Sequence, residues 1–235
     1  MHMMHSIREA IPTIHSAGYP FIAAALALAV VGGWLFAPLF WVLLILAGWM
    51  AVFFRDPERI VPTSPGLVVS PADGRVEPVV AAVPPPELQI GTAPMTRISV
   101  FMNVFDCHIN LAPVAGRVAR VAYKKGQFLS ADLDKASEAN ERNGFLIETA
   151  DGLKIGVVQI AGLVARRIRC WSAEGAHVAA GERIGMIRFG SRLDVYLPEG
   201  SVVLANPGQR VVAGETVIAL LPGAEYPPQS PARRD

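Results

Sequence analysis

The chain has 235 residues, 52% hydrophobic and 17% charged, and its 21 basic and 20 acidic side chains leave a net charge of +1. That balance excludes a broad cationic field for nucleic acid, while the apolar excess is high for a wholly soluble protein. Two cysteines, Cys107 and Cys170, cannot build a disulfide framework, and no CxxC or paired-histidine spacing points to a metal.

Residues 1–19 are mildly polar, and their scattered histidines carry no assignment. From Pro20 to Phe54 runs an apolar block of 35 residues without one charged side chain. About 20 apolar residues span a bilayer as a helix, so this block is too long for one upright crossing. Gly32-Gly33 and Pro38 interrupt it near the middle, which predicts either a helical hairpin or one long tilted helix. Arginines flank both ends, at Arg8 and at Arg55/Arg59, an arrangement that suits a hairpin. A cleaved signal peptide is the competing reading, but the block far exceeds a normal h-region.

Beyond Arg55, Val-rich runs punctuated by Gly, Pro and Asp predict a mainly β domain of short strands. Ser130 to Asn143 has helix-like content and reads as a helix or a loop; the tail from Tyr226, rich in Pro and Arg, reads as disordered. The expected divisions are 1–60, a membrane-associated segment; 61–225, a catalytic domain; and 226–235, the tail. Two internal repeats stand out. Gly175-Ala-His-Val178 with Gly181-Glu182 recurs as Gly208-Gln-Arg-Val211 with Gly214-Glu215, and Pro71-Ala-Asp-Gly-Arg-Val76 recurs as Pro113-Val-Ala-Gly-Arg-Val118. This pattern resembles the pseudo-symmetric barrel-sandwich of biotinyl and lipoyl domains.

In Arg188-Phe-Gly-Ser-Arg-Leu-Asp-Val-Tyr-Leu-Pro198, two alternating apolar runs meet at Gly190-Ser191. Glycine inside a strand pattern marks a bulge or a close backbone approach. The dipeptide is either an ordinary bulge or a site where the Ser191 hydroxyl attacks the Gly190 carbonyl. That attack would convert the peptide bond to an ester. Elimination would then release the Gly190 carboxylate, and the remaining dehydroalanine, hydrolysed through its imine with loss of ammonia, would leave a pyruvoyl group at position 191.

This stretch resembles the processing site of the short (type A) bacterial phosphatidylserine decarboxylase proenzymes. Phe53-Phe-Arg-Asp-Pro57, Ser70-Pro-Ala-Asp-Gly74, Phe101-Met-Asn-Val-Phe-Asp-Cys-His-Ile-Asn110 and Ala161-Gly-Leu-Val-Ala-Arg-Arg-Ile168 match the family as well, in its order. The resemblance implies a membrane-bound lyase of phospholipid biosynthesis that decarboxylates phosphatidylserine to phosphatidylethanolamine. Its cofactor would be a covalent pyruvoyl group made from Ser191, which forms a Schiff base with the substrate amine and takes up the electrons left by CO₂. Self-cleavage would give a β chain, 1–190, and an α chain, 191–235, held together as a heterodimer, with a higher homo-oligomer also open. The resemblance also implies the bacterial inner membrane as its location, with the catalytic domain on the cytoplasmic side.

His108 is embedded in a strand-like apolar run, where it is either a satisfied core histidine or a proton carrier. The family's Asp-x-His segment favours the second reading. Long-form members carry another histidine three positions later, where this chain has Leu111. Asp73 reads as a turn residue in Asp-Gly, and the resemblance assigns it to the processing machinery. Asp106 would orient His108 or cap a turn. Arg166, Arg167 and Arg169 are solvated cations or contacts for the lipid headgroup. Two other functions compete: a lipoyl-like carrier, since Asp134-Lys135-Ala136 resembles the lipoyl-lysine tripeptide, and a membrane-anchored adaptor without catalysis.

Overall fold

The apolar block folds as two helices, α1 (Tyr19–Leu35) and α2 (Ala37–Phe53). The chain turns at Phe36, which is extended (φ −156°, ψ 106°). Pro38 explains the turn, because it donates no N–H and its ring clashes with the carbonyl four residues back if the helix continues. Gly32 and Gly33 remain helical. A Cβ on Gly32 would lie 2.9 Å from Leu39 Cδ2, and one on Gly33 2.8 Å from Phe40 Cβ, so these glycines allow α1 and α2 to approach closely. The hairpin reading therefore holds, with the glycines packing the hairpin instead of breaking it.

The computed structural model describes residues 13–126, 140–162, 167–188 and 190–226. Two units are distinguished. One holds the chain up to Glu58 together with Val104–His108; the other holds Arg59–Asn103 and the chain from Ile109 onward. In the first unit, β1 (Thr13–Ile14) pairs with β2 (Arg55–Asp56) and closes the foot of the hairpin. Phe54 packs there against Phe21 (ring centroids 5.4 Å) and Phe53 (5.0 Å).

Among the described residues, the second unit is all β apart from one short 3₁₀ turn at Pro86–Leu88. Its first strands are β3 (Leu67–Val69), β4 (Gly74–Val76), β5 (Val80–Ala82), β6 (Met95–Met102) and β7 (Ile109–Leu111). There follow β8 (Gly116–Lys124), β9 (Arg142–Glu148), β10 (Lys154–Ala161), β11 (Ile168–Cys170) and β12 (His177–Val178). The last are β13 (Arg183–Ile187), β14 (Ser191–Leu197), β15 (Val202–Val203), β16 (Arg210–Val211) and β17 (Val217–Leu220). A nine-stranded sheet runs β12-β8-β9-β10-β14-β6-β4-β16 with β5 beside β6, and two three-stranded sheets run β11-β13-β7 and β15-β17-β3. One apolar core joins all three, with Ile98, Phe145, Val157 and Val195 from the large sheet and Val68, Ile184 and Ile218 from the small ones. The protein is thus mainly β with an apolar helical N-terminal segment.

The two sequence repeats pair with one another. His177–Val178 lies against Arg117 and Gly116, while Arg210–Val211 lies against Arg75 and Gly74. The flanking hydrogen bonds repeat too: Gly175 N–H donates to the Val118 carbonyl and Gly208 N–H to that of Val76, both at 2.7 Å. The 14-residue expectation at Ser130–Asn143 falls largely outside the described residues; its final residues, Arg142 and Asn143, begin β9.

Candidate active site

Ser191 opens β14, the strand set between β10 and β6 in the large sheet. Its cross-strand partners are Ala161 and Met102. Alternation sends Ser191, Leu193, Val195 and Leu197 into the core and Arg192, Asp194 and Tyr196 to the other face. The chain reaches Ser191 from β13, which belongs to a different sheet, and it changes sheets through Gly190. Gly190 has φ +65°, the left-handed region that L side chains rarely adopt. Among the described residues, chain neighbours aside, no heavy atom lies within 4 Å of where its Cβ would be, so backbone conformation calls for glycine there.

The Ser191 hydroxyl is fully buried, and its Oγ lies 4.0 Å from Met102 Sδ, a weak acceptor. Behind Met102 runs a series of buried amides. Asn110 Nδ2 donates to Met102 Sδ (3.7 Å), Gln159 Nε2 to Asn110 Oδ1 (2.8 Å), and Asn143 Nδ2 to Gln159 Oε1 (2.9 Å). Gly185 makes room for it, since a Cβ there would lie 2.7 Å from Gln159 Nε2. Asn143 also bonds the Cys170 thiol, whose pKa burial nevertheless pushes up. None of these amides was singled out from sequence. The available signal was a polar residue at a core-facing position of an apolar strand, as Gln159 is in Val-Val-Gln-Ile-Ala.

The other face of β14 is charged and also buried. Arg192 grips Asp194 in a fork, Nε to Oδ1 at 2.8 Å and Nη2 to Oδ2 at 3.2 Å, and Arg97 Nε lies 4.0 Å from Asp194 Oδ2. Burial, reinforced by the Asp194 charge, pushes the Tyr196 phenol up to about 12 despite the opposing guanidinium of Arg97. Nearby, burial would raise the Glu87 carboxyl, but its hydrogen bond from Arg142 prevails and holds it below the usual range.

His108 belongs to the hairpin's unit. Its ring lies against Phe53, the last residue of α2, with centroids 4.2 Å apart. Its Nδ1 is 2.9 Å from the Asp106 backbone carbonyl. A carbonyl only accepts, so this Nδ1 carries hydrogen and Nε2 is the basic nitrogen. Asp106 meets the imidazole through its backbone carbonyl, and it lies in a turn, not in the strand that the sequence suggested. The neighbouring Cys107 is buried, and its thiol donates to the Arg55 carbonyl at 3.2 Å.

Asp73 is held as a carboxylate acceptor. Arg59 Nη2 stands 2.9 Å from both its oxygens, and Ala213 N–H donates to Oδ1 at 2.8 Å. Asp73 thereby ties the Asp-Gly turn to the second glycine repeat. Arg167 is exposed just before β11, and Arg166 lies outside the described residues, as does Lys135.

The Gly-Ser junction with its buried serine, and the strands that carry it, fall within a stretch that has a family counterpart. The family model described as phosphatidylserine decarboxylase matches residues 46–219, most of the chain. The chain belongs to the phosphatidylserine decarboxylase family, pyruvoyl-dependent carboxy-lyases that make phosphatidylethanolamine from phosphatidylserine in phospholipid biosynthesis.

Proposed function

We propose that Ser191 is the residue from which this chain makes its pyruvoyl group, by cutting itself between Gly190 and Ser191. One observation carries the proposal: a fully buried serine begins a central strand directly after a glycine held at φ +65°. The hydroxyl is withdrawn from water, which would otherwise compete for the same carbonyl. The carbonyl belongs to a turn outside the regular ladder, where it has more freedom to pyramidalise than one fixed between two strands. When formed, the ketone supplies an electron sink for the bond electrons that CO₂ leaves behind.

The chain's other residues have separate tasks. His108, with Nδ1 fixed by the Asp106 carbonyl, presents a basic Nε2 suited to carry the proton that replaces CO₂. Asp73 holds the turn beside Arg59 and Ala213 and contributes to processing. Leu111 stands where long-form relatives have a second histidine, so either His108 serves both cleavage and turnover or other groups carry the processing. Arg166 and Arg167 meet the lipid headgroup. The division into membrane-associated 1–60, catalytic 61–225 and tail 226–235 follows from the same reading, with the products 1–190 and 191–235 staying together as a heterodimer.

The helical hairpin anchors the enzyme in the bacterial inner membrane, with the catalytic domain on the cytoplasmic side. Each helix has 17 residues, about 25 Å at ~1.5 Å per residue, short of the ~30 Å hydrocarbon layer. The stretch Ser16–Leu35 has the length and composition to cross; Ala37–Phe53 is shorter. The turn between them bears no charge, and Trp34 is 94% exposed. A hairpin that enters and leaves on one side fits these dimensions.

Denaturing mass spectrometry of the purified protein tests the central claim. Two chains should appear, split between Gly190 and Ser191, the smaller one carrying a ketone in place of an amino terminus. Ser191→Ala should give one uncut chain that releases no CO₂ from phosphatidylserine. An active wild-type enzyme with an intact serine would overturn it.

A further inference from the structure

Three arginines gather at one end of the β11–β13 ladder, immediately upstream of the reactive position. Ile168 pairs with Ile187 and Arg169 with Met186. Arg167 and Arg188 stand one step beyond the first pair, at the end of the ladder next to Arg169. Arg188 is partly buried, while Arg167 and Arg169 are exposed. The three are close enough to influence one another: burial lowers the Arg188 pKa, and the charges of Arg169 and Arg167 lower it further. Among the described residues, neither Arg167 nor Arg169 has a carboxylate at ion-pair distance. Like charges set opposite each other cost stability, and an anion between them would offset that cost.

We infer that Arg167, Arg169 and Arg188 form a phosphodiester-binding face that holds the substrate by its phosphate and leaves its carboxylate alone. The inference rests on Ser191 being the reactive position, which fixes where the headgroup amine must lie. Only Phe189 and Gly190 separate Arg188 from that position. In the serine headgroup the phosphorus is likewise only a few bonds from the amine, within a guanidinium's reach. The chemistry of the reaction selects the phosphate. The carboxylate departs as neutral CO₂, so a guanidinium gripping it would stabilise the starting anion and raise the barrier. The phosphodiester keeps its charge from substrate to product, and binding it costs the chemical step nothing. Planar, forked guanidinium groups suit such an oxyanion.

The test uses full-length protein with two substrates: phosphatidylserine in neutral detergent micelles and soluble glycerophosphoserine, which keeps the phosphodiester but has no membrane. In Arg188→Gln and in the Arg167→Gln/Arg169→Gln double variant, KM for both should rise about 10- to 100-fold, with kcat within a few-fold of wild type. Arg188→Lys should recover part of the loss. An unchanged KM overturns the inference. So does a KM effect confined to micelles doped with anionic lipid, which would mark a general membrane contact, and so does a marked rise in kcat alongside KM, which would place the arginines at the departing carboxylate. Calorimetric binding of glycerophosphoserine to uncut Ser191→Ala, with and without Arg188→Gln, isolates the arginines from the chemistry. If that binding depends on Arg188 while wild-type protein is never cut, the reading of Ser191 fails and the phosphate face stands.

Discussion

Gln159 Nε2 donates to Asn110 Oδ1 across 2.8 Å, linking β10 of the large sheet to β7 of a small one through the core. Asn110 then turns its own amide toward the sulfur that borders Ser191. A buried amide with its partners removed costs about 1–3 kcal/mol. Gln159→Leu leaves two such amides, Asn110 and Asn143, short of a partner. We expect its thermal midpoint to fall by several degrees, since ~1 kcal/mol shifts a chain of this size by about 2–4 °C. Met102→Leu is nearly volume-conserving and should cost under ~1.5 kcal/mol. If the thioether helps seat the Ser191 hydroxyl, this variant should slow the appearance of the cut chains in a pulse-chase while its midpoint stays close to wild type.

His108 stands against Phe53 at the end of the apolar hairpin. Losing a positioned proton carrier lowers turnover by roughly 100- to 10,000-fold. His108→Ala should show that loss in kcat for CO₂ release, measured on protein already cut. Whether newly made His108→Ala is cut at all separates its two tasks: an uncut chain means the one imidazole serves both. Full activity in this variant would remove His108 from the mechanism.

Tyr196 contributes to the loss of stability at alkaline pH. Its phenol is pushed up to about 12 in the folded protein, against 10 for an ordinary tyrosine. The folded state therefore holds this proton where the unfolded chain has released it, so stability falls as pH rises from about 10 to about 12. Below 10 the group contributes no slope. Unfolding by urea at stepped pH should show this decline, and Tyr196→Phe should flatten it across that window.

Trp34 tips the hairpin at 94% exposure with Leu35 and Phe36 exposed beside it. A charged residue deep in a bilayer costs about 2.5–3.5 kcal/mol on insertion scales. Trp34→Glu should weaken partitioning of the full-length protein into phosphatidylcholine–phosphatidylserine vesicles by about 100-fold, as read by flotation. Turnover of soluble glycerophosphoserine should be spared. Equal partitioning of the two proteins would refute insertion tip first.

The strand content, the helical block and the Gly190-Ser191 junction were legible in the sequence because each depends on short-range pattern. The two repeats were legible as well, and their mutual pairing explains why they recur: Val178 and Val211 occupy equivalent places beside Gly116 and Gly74. What sequence could not supply were contacts between residues far apart in the chain. Arg59 reaches Asp73 over 14 residues and Ala213 reaches it over 140, so the aspartate's partners lay beyond any local reading. The amide series escaped notice because Asn110, Asn143 and Gln159 look like isolated polar residues until three strands bring them together. Pro38 and Gly32-Gly33 both looked like helix breakers; only Pro38 acts as one, since the glycines serve close packing between helices.

The cut proposed ahead of β14 would have a mechanical outcome. The four strands that follow it are woven through the fold: β14 lies flanked on both edges, β15 pairs with β17 and β17 with β3, and β16 borders β4. If the proposed cut is made, the new chain end would be anchored by its own neighbours from the start, and partnership between the fragments would be inherited from folding.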